Sequence, residues 1–184
     1  DYAGAVSNTI NNRHTYVGYA AGRYIDTGLA NVAIGYNAMQ STSATNQNAS
    51  YNTAVGYVAL ESITDADYNT AIGQGAAQNL EGGSGQNVFI GNSAGITSVT
   101  SAFNVMIGVS AGLGATDVDK TVLIGWNAAR GVMTSDADGT IAIGYQAGNA
   151  LTTGRYNTAV GYEALKTTTE QDYNTAIGYK ALTV

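Results

Sequence analysis

Hydrophobic and polar positions along the chain follow one short pattern that recurs ten times. Each copy centres on a glycine that follows Val or Ile, and the residue two positions before that Val or Ile is always β-branched. An alanine always lies three residues after the glycine, and an asparagine usually lies four residues before it. β-branched residues at every second position are typical of a β-strand. The pattern therefore predicts ten strands of about five residues each.

The spacing of the copies predicts how these strands are arranged. The basic interval between successive conserved glycines is 17 residues, lengthened by small insertions; the glycines are Gly18, Gly35, Gly56, Gly73, Gly91, Gly108, Gly125, Gly144, Gly161 and Gly178. A glycine inside every copy disfavours a helix by about 1 kcal/mol relative to alanine. A short interval suits one coil of a parallel β-solenoid, whose coils stack about 4.8 Å apart so that equivalent residues form columns.

We therefore expect an all-β fold in two parts. Residues 1–13 would form an N-terminal connector or a partial coil, and residues 14–184 would form a parallel β-solenoid of about ten 17-residue coils. The Val or Ile before each glycine and the conserved alanine are expected to fill the interior. Asparagines in successive coils are expected to form a ladder of side-chain amides.

The opposite face of each predicted strand is apolar as well. It carries the residue two positions before each glycine: Tyr16, Ala33, Ala54, Ala71, Phe89, Met106, Leu123, Ala142, Ala159 and Ala176. A strand with one face in water should alternate apolar and polar residues, so this second face needs a cover. We expect the cover to be another copy of the chain, which makes the nine residues from Ala33 to Ala176 interface residues. The alternative is a wider single-chain solenoid that buries the strand on both faces.

Composition narrows the possible partners and cofactors. The 184 residues are 45% hydrophobic and 11% charged, with a net charge of -6 and only seven scattered Lys and Arg residues, which argues against nucleic acid. No apolar run has the ~20 residues of a membrane span, so we expect no membrane insertion. The chain has no cysteine, which excludes disulfides and thiolate metal sites. Neither end has the pattern of a cap, so we expect more protein on at least one side.

Repeats such as NVAIGYNAM, YNTAIGQGAA, NVFIGNSAG and YNTAVGYEAL resemble those of a known family. They are similar to the head repeats of trimeric autotransporter adhesins and, in their longer coil and GY-x-A-L ending, to bacteriophage tail-fibre proteins. The resemblance covers about residues 15–182. It implies a left-handed parallel β-roll, a homotrimer and an extracellular place, on a virion or on a bacterial surface.

Carboxylates recur at fixed positions before the glycines. Asp117 and Asp119 lie in one coil and Asp136 and Asp138 in the next, so four carboxylates are expected close together. Oxygen ligands of this kind suit Ca²⁺, which makes these four residues a candidate metal site. The alternative is turn chemistry, in which each Asp caps its own backbone where a loop enters a strand. No other cofactor is expected.

Two G-x-S-x-G matches contain Ser93 and Ser110. This pattern marks a nucleophile only in a strand-turn-helix context with a histidine and an acid nearby. The single histidine, His14, lies several coils away, and other copies hold Asn, Gln, Glu or Lys at the same position. We therefore expect no enzyme.

Aromatic residues form a column directly after the glycine. Six of them are candidate contacts for a glycan or a protein: Tyr36, Tyr57, Trp126, Tyr145, Tyr162 and Tyr179. The alternative is packing between coils or across a subunit interface. The longest insertion, Gln40–Ser50, is the loop that we expect to recognise a ligand if one binds.

These features favour a structural or adhesive segment of a trimeric fibre that supports attachment to a host cell surface. Its partners would be itself and a cell-surface glycan or protein. Two other functions stay open: a bacterial adhesin head that binds matrix or glycan, and an ice-binding solenoid, for which regular threonine ladders would be needed.

Overall fold

A computed structural model of the chain describes residues 13–41, 48–83 and 85–183. Ten three-residue strands pair in chain order to form one parallel sheet. They are β1 (Thr15–Val17), β2 (Val32–Ile34), β3 (Thr53–Val55), β4 (Thr70–Ile72), β5 (Val88–Ile90), β6 (Val105–Ile107), β7 (Val122–Ile124), β8 (Ile141–Ile143), β9 (Thr158–Val160) and β10 (Thr175–Ile177). One short 3₁₀ segment, Ser135–Ala137, lies between β7 and β8. The expected all-β parallel solenoid is confirmed.

Equivalent positions of the repeat pair exactly from coil to coil. Val88 pairs with Val105, Phe89 with Met106 and Ile90 with Ile107, and the same register holds for every neighbouring pair of strands. Insertions in the sequence therefore do not shift the register of the strands. The expected connector, residues 1–13, lies outside the described residues except for Arg13.

The conserved glycine is required because consecutive coils approach each other closely there. Gly91 has φ +132°, and a Cβ added to it would lie 2.5 Å from the carbonyl oxygen of Gly108. Eight of the other nine conserved glycines meet the glycine of the next coil in the same way, and for the last one, Gly178, nothing lies within 4 Å. A side chain at this column would therefore push the coils apart.

The buried face of each strand carries the residue two positions before the glycine. Ala33, Ala54, Ala71, Phe89, Met106, Leu123, Ala142 and Ala159 are 0% exposed and Ala176 is 2% exposed within a single chain. The prediction that these nine residues form an interface between chains is wrong, because the chain's own core covers them. The conserved alanine after the glycine is also buried in the nine coils from Ala21 to Ala164, as expected.

The residues expected to fill the interior lie on the other face. Ile34 is 38% exposed, Ile72 is 39% exposed, and no Val or Ile directly before a conserved glycine is buried. Val160 and Ile177 were expected inside and lie outside. The two faces of the strand are thus exchanged relative to the expectation.

Core volume explains this exchange. In coils with a large residue two positions before the glycine, the residue four positions after the glycine is small. Phe89 faces Gly95, and Met106 faces Gly112. A Cβ added to either of these glycines would overlap the side chain that faces it. In coils with alanine at the first position, the second is often large, as in the pairs Ala33 and Met39, Ala54 and Leu60, and Ala159 and Leu165. The narrow interior holds at most one large side chain from this pair of positions, in keeping with close packing.

A ladder of buried asparagines lies beside this core. The Oδ1 of Asn52 accepts hydrogen bonds from the backbone N–H (2.8 Å) and the side-chain Nδ2 (3.0 Å) of Asn69, and the pattern runs from Asn31 to Asn104. Thr121 continues it through a hydrogen bond from its Oγ1 to Asn104 Oδ1. The expected amide ladder is confirmed, and it satisfies backbone N–H groups that the strands leave unpaired.

Replacing Gly91 by alanine tests the glycine column. We expect Gly91→Ala to lower the melting temperature strongly, because backbone strain of about 1–3 kcal/mol adds to the overlap with Gly108. Gly75→Ala is the matched control: its φ is +63°, and an added Cβ would meet no atom closer than 3.5 Å. Thermal unfolding followed by circular dichroism measures both. Equal melting temperatures for the two variants would contradict the close approach of the coils.

Candidate functional site

The outward face of the sheet is a regular surface that runs over all ten strands. Each row consists of the residues five, three and one positions before the glycine and the residue directly after it. One row reads Tyr156, Thr158, Val160 and Tyr162, and the residues between them, Asn157 and Ala159, are buried. We call this surface, over all ten strands, the outer strand face.

The centre of the outer strand face is β-branched throughout. Its two central columns contain only Val, Ile and Thr, and all of these side chains are partly or fully exposed. Ten strands give nine intervals of about 4.8 Å, so the face is about 43 Å long. A surface this long with no charge in its centre is unusual for an isolated chain in water.

Aromatic residues line both sides of this centre. Their rings stack face to face between consecutive coils, with centroids 4.8–5.4 Å apart; the stacked pairs are Tyr19–Tyr36, Tyr36–Tyr57, Tyr51–Tyr68, Trp126–Tyr145, Tyr145–Tyr162, Tyr156–Tyr173 and Tyr162–Tyr179. The side chains stay between 39% and 72% exposed. An amphipathic phenol suits the rim of an apolar interface.

The stacking limits how the predicted aromatic contacts can bind a glycan. A sugar ring stacks on the face of an aromatic ring, but the faces of Tyr145 and Tyr162 are occupied by the rings of their neighbours. Tyr36 likewise lies between Tyr19 and Tyr57. Of the six predicted contacts, only the end members Tyr57, Trp126 and Tyr179 keep a ring face that no aromatic neighbour in these stacks occupies. Their contact with a ligand stays a prediction, and so does packing across an interface.

The four carboxylates predicted as a calcium site have separate roles. Asp119 Oδ1 accepts the backbone N–H of Ala102 (2.7 Å), and Asp138 Oδ1 accepts that of Asp119 (2.7 Å). Asp117 accepts a hydrogen bond from the Thr116 hydroxyl, and Asp136 pairs with Arg155. No group of three or more acidic or histidine side chains that could hold a metal ion occurs in the part of the chain described here.

These hydrogen bonds follow from the repeat position of the aspartates. Asp67 and Asp172 occupy the same position as Asp119, and they accept the backbone N–H groups of Ser50 and Arg155. Where an aspartate occupies this position, it joins its coil to the one before it. The bond reaches a backbone 17–19 residues away, and so differs from the expected capping of the residue's own turn. Burial, together with the neighbouring charge of Asp119, raises the pKa of Asp138.

The serines of the two G-x-S-x-G matches lie at a corner of the coil. Ser93 and Ser110 both have φ of +56°, as do residues of other types at this repeat position. The Ser93 hydroxyl donates to Asn92 Oδ1 (3.2 Å). His14 lies in the first coil, where its Nδ1 accepts the backbone N–H of Asn31 and burial lowers its pKa. The structure therefore does not bring a histidine to either serine.

The loop predicted to recognise a ligand lies mostly outside the described residues. Residues 42–47 are not described, and only the flanks of Gln40–Ser50 are.

Residues 13–41, 48–83 and 85–183 contain no helix that is long and apolar enough to cross a bilayer.

Sequence reasoning identified the aromatic columns but missed the outer strand face. One signal in the sequence could have revealed which face is outside. The side chains two positions before the glycine and four positions after it vary inversely in size from coil to coil. A large residue at one is accompanied by Gly or Ala at the other in the coils of Phe89, Met106 and Leu123. Such exchange indicates that both positions share one enclosed volume.

Comparison of the chain with protein-family models, with curated proteins and with solved structures gave no match.

Replacing Asp119 distinguishes the backbone acceptor from a metal ligand. Asp119→Ala should cost about 1–3 kcal/mol because it leaves the Ala102 N–H without an acceptor. Asp119→Asn keeps a carbonyl oxygen there and should melt close to the wild type. A chelator should leave the wild-type melting temperature unchanged. A chelator-induced decrease that Asp119→Asn abolishes would show instead that these carboxylates hold a cation.

Proposed function

We propose that this chain is a structural and adhesive segment of a homotrimeric fibre, in which the outer strand face packs against the same face of other copies. The observation that carries the proposal is the uncharged centre of that face, which continues over ten strands without interruption. In a soluble chain such a face needs a cover. The interface lies on the side of the strand opposite to the one that the sequence suggested.

Another copy of the chain is the occupant that fits this face best. Any copy presents the same columns at the same spacing and over the same length. Rotation of the copies about an axis parallel to the solenoid therefore brings every row against the equivalent row of another copy. A face about 43 Å long and roughly 15 Å wide offers on the order of 650 Å² per chain, near the 800 Å² per partner of stable interfaces.

The number of chains and the biological setting rest on the resemblance of the repeats. Repeats such as NVFIGNSAG and YNTAVGYEAL are similar to those of tail-fibre proteins and adhesin heads, in which three rolls pack together. We propose the same number here, and an extracellular place on a virion or a bacterial surface. Identical faces repeated around an axis would multiply weak contacts with a cell-surface glycan or protein into avidity.

The outward position of Thr53, Thr70, Thr158 and Thr175 favours one other function. Exposed threonines beside Val or Ile on a flat sheet are suited to binding ice, which is the alternative that the sequence left open. These threonines form two separate pairs of adjacent rows, and Thr15 stands alone in β1, because Val or Ile occupies the same column in β2 and in the four rows from β5 to β8. A chain that stays monomeric and slows ice recrystallisation would favour this function over the fibre.

Charged substitutions on the outer strand face test self-association. We expect the wild type to sediment as a trimer and the double variant Ile143→Lys with Val160→Lys to sediment as a monomer with an unchanged circular dichroism spectrum. Both side chains are partly exposed in the single chain, so the coil tolerates the lysines, but desolvating them in an interface is costly. Analytical ultracentrifugation at micromolar concentration measures the mass.

The control is Val132→Lys, which makes the same change at an exposed valine in the loop after β7. Its mass should equal that of the wild type. A monomeric wild type, or a double variant that assembles as the wild type does, would overturn self-association through this face.

A further inference from the structure

The tyrosine stacks hold pairs of phenols from consecutive coils at fixed short distances. The closest and most parallel pairs are Tyr145–Tyr162, with centroids 4.8 Å apart and planes inclined by 6°, and Tyr51–Tyr68, at 4.9 Å and 4°. The strand register sets these distances, because Thr53 pairs with Thr70 and Ile143 with Val160. Each phenol therefore has one or two defined neighbours before any reaction begins.

The paired tyrosines are accessible in the single chain, and they line the two sides of the outer strand face, so the proposed assembly would leave them at its rim. Tyr51, Tyr68, Tyr145 and Tyr162 expose between 39% and 56% of their surface although their ring faces are stacked. Ring edges therefore face solvent, where an oxidant can reach them and water can accept a proton. The chain has no cysteine, so no disulfide can link one coil to the next.

We propose that these stacks are sites of oxidative tyrosine coupling, which joins consecutive coils of one chain by dityrosine bonds. The oxidant is a peroxidase acting with hydrogen peroxide. Each of two stacked phenols loses one electron to the oxidant and its hydroxyl proton to water. The two phenoxyl radicals form a carbon–carbon bond between ring positions ortho to the oxygens, and the hydrogens displaced from those carbons restore the two hydroxyl groups.

The overall reaction balances for one cross-link. Two tyrosines lose two electrons and two protons in total, and one hydrogen peroxide takes them up to give two water molecules. The effective concentration of one phenol at its stacked neighbour far exceeds that of a phenol on another molecule, so coupling within the chain is favoured. Each bond closes a loop of 17 residues between Tyr51 and Tyr68 or between Tyr145 and Tyr162. As with a disulfide, closing such a loop restricts the unfolded chain and should raise the melting temperature.

The stacking pattern limits which bonds can form together. Six of the stacked pairs are between tyrosines, and pairs that share a member compete for its radical, so one bond per tyrosine allows four bonds in one chain. Tyr162→Phe removes the shared member of two pairs and leaves Tyr145 and Tyr179 two coils apart. The maximum then falls from four bonds to three, a loss of about one quarter of the dityrosine.

The experiment treats the full chain with a haem peroxidase and limiting hydrogen peroxide. Dityrosine fluorescence gives the yield, and mass spectrometry of proteolytic peptides identifies the linked residues. We expect Tyr51–Tyr68, Tyr145–Tyr162 and Tyr156–Tyr173 among the main products, a yield about one quarter lower for Tyr162→Phe at saturation, and a higher melting temperature for the oxidised wild type. Tyr24, whose ring contacts the Arg23 guanidinium, is the internal control and should remain uncoupled.

An equal mixture of ¹⁵N-labelled and unlabelled chains separates coupling within a chain from coupling between chains. Bonds within a chain give linked peptides that are wholly labelled or wholly unlabelled, whatever the oligomeric state. The proposal is overturned if most linked peptides are mixed, if Tyr24 couples as often as Tyr51, or if chains unfolded in urea give the same pairs as folded ones.

Discussion

The close approach of consecutive coils at the glycine column is the constraint on which the rest of the structure depends. Gly91 leaves no room for a side chain against Gly108, and this spacing repeats along the solenoid. It holds every coil in the same register, so that each position of the repeat becomes a column. The asparagine ladder, the aromatic stacks and the aspartate contacts between coils all follow from that register.

The repeat made the architecture predictable, because the period and the glycine position determine how the coils stack. The amide ladder followed from the same reasoning, since identical amides at buried positions in register lie within hydrogen-bond distance of each other. Which face of the strand lies inside the coil was not predictable in this way. Val160 and Ala159 are both apolar, and hydrophobicity alone favours placing the larger one inside.

The volume of the coil interior determines which face of the strand is buried. The interior of a coil is too narrow for a β-branched column beside Leu60 or Met39, so alanine lies there and the Val and Ile columns lie outside. The same constraint explains why Phe89 and Met106 require glycine across the core. Among the candidate sites, the aspartates were ambiguous in sequence because a cation and a backbone N–H both bind carboxylate oxygens. Only the positions of Ala102 and Asp119 relative to those oxygens distinguish the two.

The central claim is that the outer strand face, and not the alanine face, is the surface that meets other copies. Because the chain has no native cysteine, single Val160→Cys and Ala159→Cys variants report on adjacent residues of one strand. The measurement is the rate of thiol labelling above and below the concentration at which the chains associate. The account predicts that the Val160→Cys thiol reacts readily in dispersed chains and slowly in the assembly, while the Ala159→Cys thiol reacts slowly in both. A Val160→Cys thiol that reacts equally fast in both states would contradict the claim.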